Sequence, residues 1–195
     1  MAARKATKTI PIVFAGVSDP ITVGLVDALT RPGGNVTGVT LDNPELTGKR
    51  LSLLKEASLG LEIRVLEARQ PQELPQAFDT MTVARIAAVV VLPDPMFVSQ
   101  RRRITELAAT RRIASMYHLR QFVTAGGLLS YGADYTEAFE QSAVLVDKLL
   151  RGTRAADLPV EHPWRYSLVI NLKTAEALGL TIPPSLLARA DQVVE

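Results

Sequence analysis

The stretch Thr9-Ile-Pro-Ile-Val-Phe-Ala-Gly-Val-Ser-Asp-Pro-Ile21 decides how this chain is read. Ile10, Ile12, Val13 and Phe14 form a short apolar run, the form of a strand buried on both faces of a parallel sheet. Gly16 breaks the run. Ser18-Asp19-Pro20 then has the form of a helix start, with Asp19 as N-cap and Pro20 at the first helical position. Ile21, Leu25 and Leu29 recur at helical spacing, and Arg31-Pro32-Gly33-Gly34 ends the predicted helix. A strand that turns into a helix at small and polar residues leaves free backbone N–H groups at the carboxyl end of its sheet, where ligands of open α/β sheets sit. On pattern alone a plainer alternative stands beside this one: Ser18 and Asp19 only cap a helix.

Outward from this unit the chain keeps alternating. Strands are predicted at 35–40, 62–67, 86–92, 113–117, 128–131 and 166–171, with Ile86-Ala-Ala-Val-Val-Val-Leu92 as the most apolar and the expected central parallel strand. Helices are predicted at 46–57, at 73–82, from the Pro93-Asp94-Pro95 stop to about Arg111, briefly before Ala125-Gly126-Gly127, at 134–150, and in two short closing pieces at 175–178 and 185–190. The helix from Asp134 to Leu150 is amphipathic, with Phe139, Val146 and Leu150 among its apolar positions and Gly152 as C-cap. Leu158 to Pro163 is a linker. Strand after strand followed by helix means α/β with a mostly parallel sheet. Right-handed crossovers gather the loops at the strands' carboxyl ends on one edge, and those loops carry Ser18, Asp19, Asp94, Tyr117, His118, Tyr131 and Asp134. Asp94 reads equally as a partner for a ligand ammonium group and as a turn residue between two prolines.

Composition sets the limits. A chain of 195 residues suffices for one domain with a sizeable core or for two small lobes. With 47% hydrophobic and 22% charged residues it is globular in character. A formal net charge of +2 is too small to imply a nucleic-acid partner, and Arg101-Arg102-Arg103 lies in a predicted helix without interleaved aromatics, as a solvated face does. The absence of cysteine excludes disulfides, thiolate chemistry and cysteine metal sites, and His118 and His162 stand in no ligand-like spacing, so no metal and no cofactor is expected. No apolar stretch is long enough to span a bilayer, and the basic Met-Ala-Ala-Arg-Lys-Ala-Thr-Lys start has no signal-peptide h-region, so no export signal is expected on the chain as written. Neither a dinucleotide fingerprint, a P-loop nor a Gly-x-Ser-x-Gly elbow occurs. A trio of Ser18, His118 and Asp94 can be imagined, but sequence supplies no geometry for it. The residues point to small-molecule binding without catalysis.

Thr9-Ile-Pro-Ile-Val-Phe14, Val17-Ser-Asp-Pro20, Leu29-Thr-Arg-Pro-Gly-Gly-Asn-Val-Thr-Gly38, Gly48-Lys-Arg-Leu51, Val91-Leu-Pro-Asp-Pro95, Gly126-Gly-Leu-Leu-Ser-Tyr-Gly132, Asp157-Leu-Pro-Val160 and Ile170-Asn-Leu-Lys-Thr-Ala175, through Leu178-Gly-Leu-Thr-Ile-Pro-Pro184, resemble the ABC transporter substrate-binding protein family, in its tryptophan/tyrosine-type branch. The resemblance is collinear over essentially the whole chain. It implies a type I periplasmic-binding-protein fold of two Rossmann-like lobes with parallel sheets, residues 1–45 with 133–155 in the first and 46–132 with 156–195 in the second. It further implies a solute-binding component of an import system that closes around a small ligand between its lobes, delivers it to an ABC permease, and works in the periplasm. The chain departs from the family by starting partway through the first lobe and by a second gap near Glu56-Ala-Ser58, so both lobes read as incomplete. A non-transport remnant or ligand-sensing domain is the alternative, and a small α/β enzyme a third, against which the absent motifs count. The expected ligand is an amino acid with an aromatic or branched side chain. Its carboxylate would meet the helix start at Ser18, Asp19 and Pro20, its ammonium group Asp94, and its side chain Tyr117 and Tyr131.

Overall fold

The computed structural model describes residues 2–41, 44–57 and 64–195. In chain order its elements are α1 (Ala2–Ala6), β1 (Ile12–Val17), β2 (Val36–Thr40), α2 (Pro44–Ala57), α3 (Leu74–Val83), β3 (Ala88–Val90), α4 (Pro95–Ser99), α5 (Arg101–Thr110), β4 (Ala114–Tyr117), α6 (Arg120–Thr124), β5 (Leu129–Gly132), α7 (Tyr135–Leu150), β6 (Ser167–Asn171), α8 (Leu172–Leu178), α9 (Pro184–Leu187) and β7 (Gln192–Val194). They form two compact α/β units, Met1–Asn43 with Ala133–Tyr166, and Pro44–Gly132 with Ser167–Glu195. Residues 156–166, expected in the second lobe, pack in the first unit. There Thr37 Oγ1 donates to the Leu158 carbonyl at 2.9 Å, the Val160 amide donates to the Leu29 carbonyl at 2.7 Å, and Leu158 and Val160 are buried.

In the first unit β1 and β2 pair in parallel from Ile12↔Val36 onward. Gly16 does not stop the strand. At φ +75° it forms a bulge that shifts the register between Ala15 and Val17, and a Cβ there would collide with the Tyr135 ring. α7 packs across both strands, started by Asp134, whose Oδ1 accepts from the Thr136 amide at 2.8 Å. Its buried face is Ala138, Gln141, Ser142 and Leu145, whereas Phe139, Val146 and Leu150 of the expected apolar positions are exposed. Both stripes have helical spacing. A two-stranded sheet is too narrow to cover both, and the side with small residues permits the closer approach.

The helix expected after Pro20 does not form. Residues 20–24 are turns: the Leu25 and Val26 amides both donate to the Pro20 carbonyl, at 2.8 and 3.2 Å, and Gly24 takes φ +67°. β-branched Thr22 and Val23 weaken the first turn, and the left-handed Gly24 then folds the chain back on itself.

The second unit is built on a five-stranded sheet of order β3-β4-β5-β6-β7, parallel except where β6 runs antiparallel to β5. The run expected as the central strand contracts to Ala88–Val90, half-buried at the sheet's edge. A continuous apolar run registers apolar surroundings, not position in the sheet. Of the strand expected at 62–67, residues 62 and 63 lie outside the described residues, and 64–67 are not in strand conformation. β7, not anticipated, pairs with β6.

α2 packs against β3, β4 and β5 of this sheet. Pro44 opens it, Glu45 sits in its first turn and Lys55 in its last, each matching the helix dipole. Leu46, Arg50, Leu53, Leu54 and Ala57 are buried at positions i, i+4, i+7, i+8 and i+11, one face of a helix. Leu53 and Leu54 join Met116, Leu129 and Ile170 of the sheet in the unit's core, each buried leucine contributing about 1.5–3 kcal/mol.

Candidate functional site

Because β3, β4 and β5 are parallel, their carboxyl ends share one edge of the second unit. Asp94 follows β3, Tyr117 and His118 stand at the end of β4, and Tyr131 and Gly132 end β5. Asp94 is exposed and caps α4, its Oδ1 accepting from the Met96 amide at 2.7 Å, with Pro95 at the first helical position. Capping occupies one oxygen. A carboxylate has two oxygens and about four lone-pair sites, so the cap is compatible with a ligand ammonium group. Tyr131 is half-buried against the core, and its carbonyl accepts from Arg50 Nε at 2.7 Å.

Tyr117 does not line an open pocket. It is fully buried, and its ring stacks on Phe122 with centroids 4.5 Å apart and planes 11° from parallel. A Cβ at Gly127 would strike the same ring. Burial pushes its phenol pKa well above the usual value, the nearby Ser115 hydroxyl offsetting little of this, and the Tyr117 hydroxyl has no partner of hydrogen-bonding geometry among the described residues.

His118 is 6% exposed, its ring 5.5 Å from Phe122. Burial pushes its imidazole pKa down to about 4, and the Arg50 charge adds to the shift, opposed by a backbone hydrogen bond at Val91 and by the Asp94 charge. His118 is therefore neutral at pH 7. Three groups from three segments, Arg50 on α2, Asp94 after β3 and His118 after β4, thus interact electrostatically at one edge.

In the first unit Asp19 is exposed, and its Oδ1 accepts from the Ile21 and Thr22 amides at 3.1 and 2.9 Å. Hydrogen bonds from Thr22, side chain first, hold its carboxyl below the usual range, with the Ile21 amide adding a little. The Ser18 carbonyl accepts from Thr40 Oγ1 at 3.0 Å. These bonds fix a turn. With no helix behind it, the turn lacks the aligned N–H groups on which the expected carboxylate site depended. The imagined trio of Ser18, His118 and Asp94 is divided between the units.

Arg50 is the residue that the strand-end pattern misses. Its signal is a charged residue inside the stripe Leu46, Arg50, Leu53, Leu54, Ala57, where the helical period demands an apolar one. The second unit also holds an apolar cavity of about 290 Å³ along β3, lined among others by Leu51, Leu54, Phe78, Met81 and Ile104, but by neither Asp94 nor Tyr131. Among the described residues no cluster of three or more His, Asp or Glu side chains could hold a metal ion, and no helix is long and apolar enough to cross a membrane.

Two α/β units joined by a chain that passes between them repeatedly, with polar groups at the strand ends, define a periplasmic-binding-protein-like fold. The family model for ABC transporter substrate binding proteins matches residues 1–59 and 57–194, and the chain belongs to that family. A curated relative, the tyrosine-binding protein of Clostridioides difficile (strain R20291), is 27% identical over 207 residues, which cover 92% of this chain and 60% of the relative. The chain thus spans 60% of the length of that relative. Among solved structures, the ABC domain from Streptococcus pneumonia in complex with L-Trp superposes with a TM-score of 0.87 at 27% identity, covering 98% of this chain and 74% of that one. A conserved domain protein from Vibrio cholerae O1 biovar eltor str. N16961 gives a TM-score of 0.88 at 27% identity, with the same coverage.

Proposed function

We propose that the chain is the solute-binding component of an ABC import system, that its ligand is an amino acid with an aromatic side chain, and that it turns over no substrate. The reading is carried by the family match over both segments of the chain. Ligand class follows the relatives: one is named for tyrosine, and a structure with the same fold holds L-Trp. On this chain Asp94 is an exposed carboxylate at the strand ends, suited to an ammonium group through a charge-assisted hydrogen bond. Tyr131, on β5 of the same sheet, offers an aromatic surface with a polar tip. The partner that receives the ligand is a membrane permease on the periplasmic side.

A non-transport remnant or ligand-sensing domain is the second reading, favoured by the break of the family match at residues 57–59. Calorimetric titration of the folded chain with a panel of amino acids is the test. Saturable binding of L-Trp or L-Tyr in preference to aliphatic amino acids is expected. A folded chain that binds none of the panel overturns the transport reading, and binding without delivery to any ABC permease favours the second.

A further inference from the structure

We infer that Arg50 is a positioning residue for the ligand edge of the second unit: its buried guanidinium ties the end of β5 to α2 and holds the Tyr131 main chain where it meets a ligand. The inference rests on the reading of that edge as the ligand site and adds a residue on the helix behind it.

Placement is the first support. Arg50 lies on the core-facing stripe of α2 and is 2% exposed. A leucine there would continue the stripe. Burying a cation is unfavourable unless it is hydrogen-bonded and paired, so the guanidinium is better accounted for by what it holds than by what it packs. Geometry is the second. The parallel ladder between β4 and β5 runs through Met116↔Leu129 and Tyr117↔Ser130, and there it ends. The next carbonyl along, that of Tyr131, accepts from Arg50 Nε at 2.7 Å, so the side chain takes over where the ladder stops. Gly132, one residue further, passes so close to the His118 carbonyl that a Cβ would overlap it. The ends of β4 and β5 are thereby fixed against each other, with α2 as the anchor. Electrostatics is the third, since the Arg50 charge is felt at His118 together with that of Asp94.

A lysine keeps the charge but lacks the rigid fork that puts Nε on the carbonyl, and glutamine keeps a donor but lacks the charge. The test uses the full chain with Arg50→Lys and Arg50→Gln, alongside Leu53→Val as a core variant that also lowers the thermal midpoint. Calorimetry with L-Trp and L-Tyr should show affinity reduced about tenfold or more in both Arg50 variants and within about twofold of the original in Leu53→Val. NMR should show the Tyr131 carbonyl resonance displaced in both variants, and the His118 titration moved upward in Arg50→Gln but not in Arg50→Lys. Affinity unchanged in both Arg50 variants, or falling only in step with the thermal midpoint as in Leu53→Val, overturns the inference. Should Arg50→Gln not fold, Arg50→Lys alone decides it. If the unaltered chain binds neither amino acid, the functional reading fails, and the two NMR signals decide the Arg50 contact separately: an undisplaced Tyr131 carbonyl refutes it.

Discussion

Gly132 at the end of β5 lies directly against the carbonyl of His118 at the end of β4, and a Cβ on Gly132 would overlap that oxygen. The neighbour is backbone, so it cannot rotate away as a flexible side chain could. Gly132→Ala must push two strand ends apart in the part of the sheet that carries the polar edge. We expect a loss of about 2–3 kcal/mol, at the upper end of overpacking costs, read by urea unfolding monitored by circular dichroism. An alanine variant as stable as the original chain would mean that the strand ends separate freely.

Gly48 predicts the opposite sign. It sits within α2, and a Cβ there would meet nothing within 4 Å. Glycine in a helix costs backbone entropy that alanine does not, so Gly48→Ala should stabilise by about 1 kcal/mol. A higher urea midpoint at unchanged slope is the expected result. A lower midpoint would show that this turn of α2 meets something a Cβ obstructs.

His118 makes stability depend on pH. Its folded-state pKa is lowered from 6.5 to about 4, so between those values the unfolded chain binds the proton and the folded chain does not. The contribution is complete above pH 6.5, and it is lost progressively as the pH falls to about 4. A shift of this size corresponds to about 3 kcal/mol. Urea unfolding at steps across that window should show the original chain losing stability faster than His118→Gln, the two curves converging in slope below the folded pKa. Parallel curves throughout would mean that His118 titrates alike in both states.

Local chemistry was legible in the sequence, and contacts set by topology were not. Asp134 before the α7 helix and the turn at Pro93-Asp94-Pro95 depend on neighbours a few residues away, and each appears where the pattern places it. The segment after Pro20 satisfies the same local rules, but Gly24 in the left-handed region folds the chain back before a helix forms, an outcome that glycine permits without announcing. β3 read as central because apolar residues surround it. Which strand flanks which is a property of the sheet, not of the run. Tyr117 looked like a strand-end pocket residue, and the Phe122 ring from α6, a separate element, is what makes it core. Arg50 is legible as the charge that breaks an apolar stripe, a signal carried on a helix face and not at a strand end.

Asp94 is where cap and ligand contact can be separated. Its Oδ1 caps α4 through the Met96 amide, and asparagine caps a helix about as well as aspartate, while alanine does not. Asp94→Ala should therefore lose about 1 kcal/mol of stability, and Asp94→Asn close to none. Recognition of an ammonium group needs the charge, so both variants should bind L-Trp at least about tenfold more weakly. An analogue of tryptophan without its amino group isolates the contact: it has no ammonium for Asp94 to meet, so its affinity should be the same for the original chain and for Asp94→Asn. The decisive comparison is the ratio of the two ligands' affinities in each protein, measured calorimetrically. A ratio that collapses in Asp94→Asn assigns the ammonium contact to this carboxylate. If the ratio is unchanged while both variants fold, Asp94 serves α4 alone, and the acid that meets the ligand must be sought on another strand end.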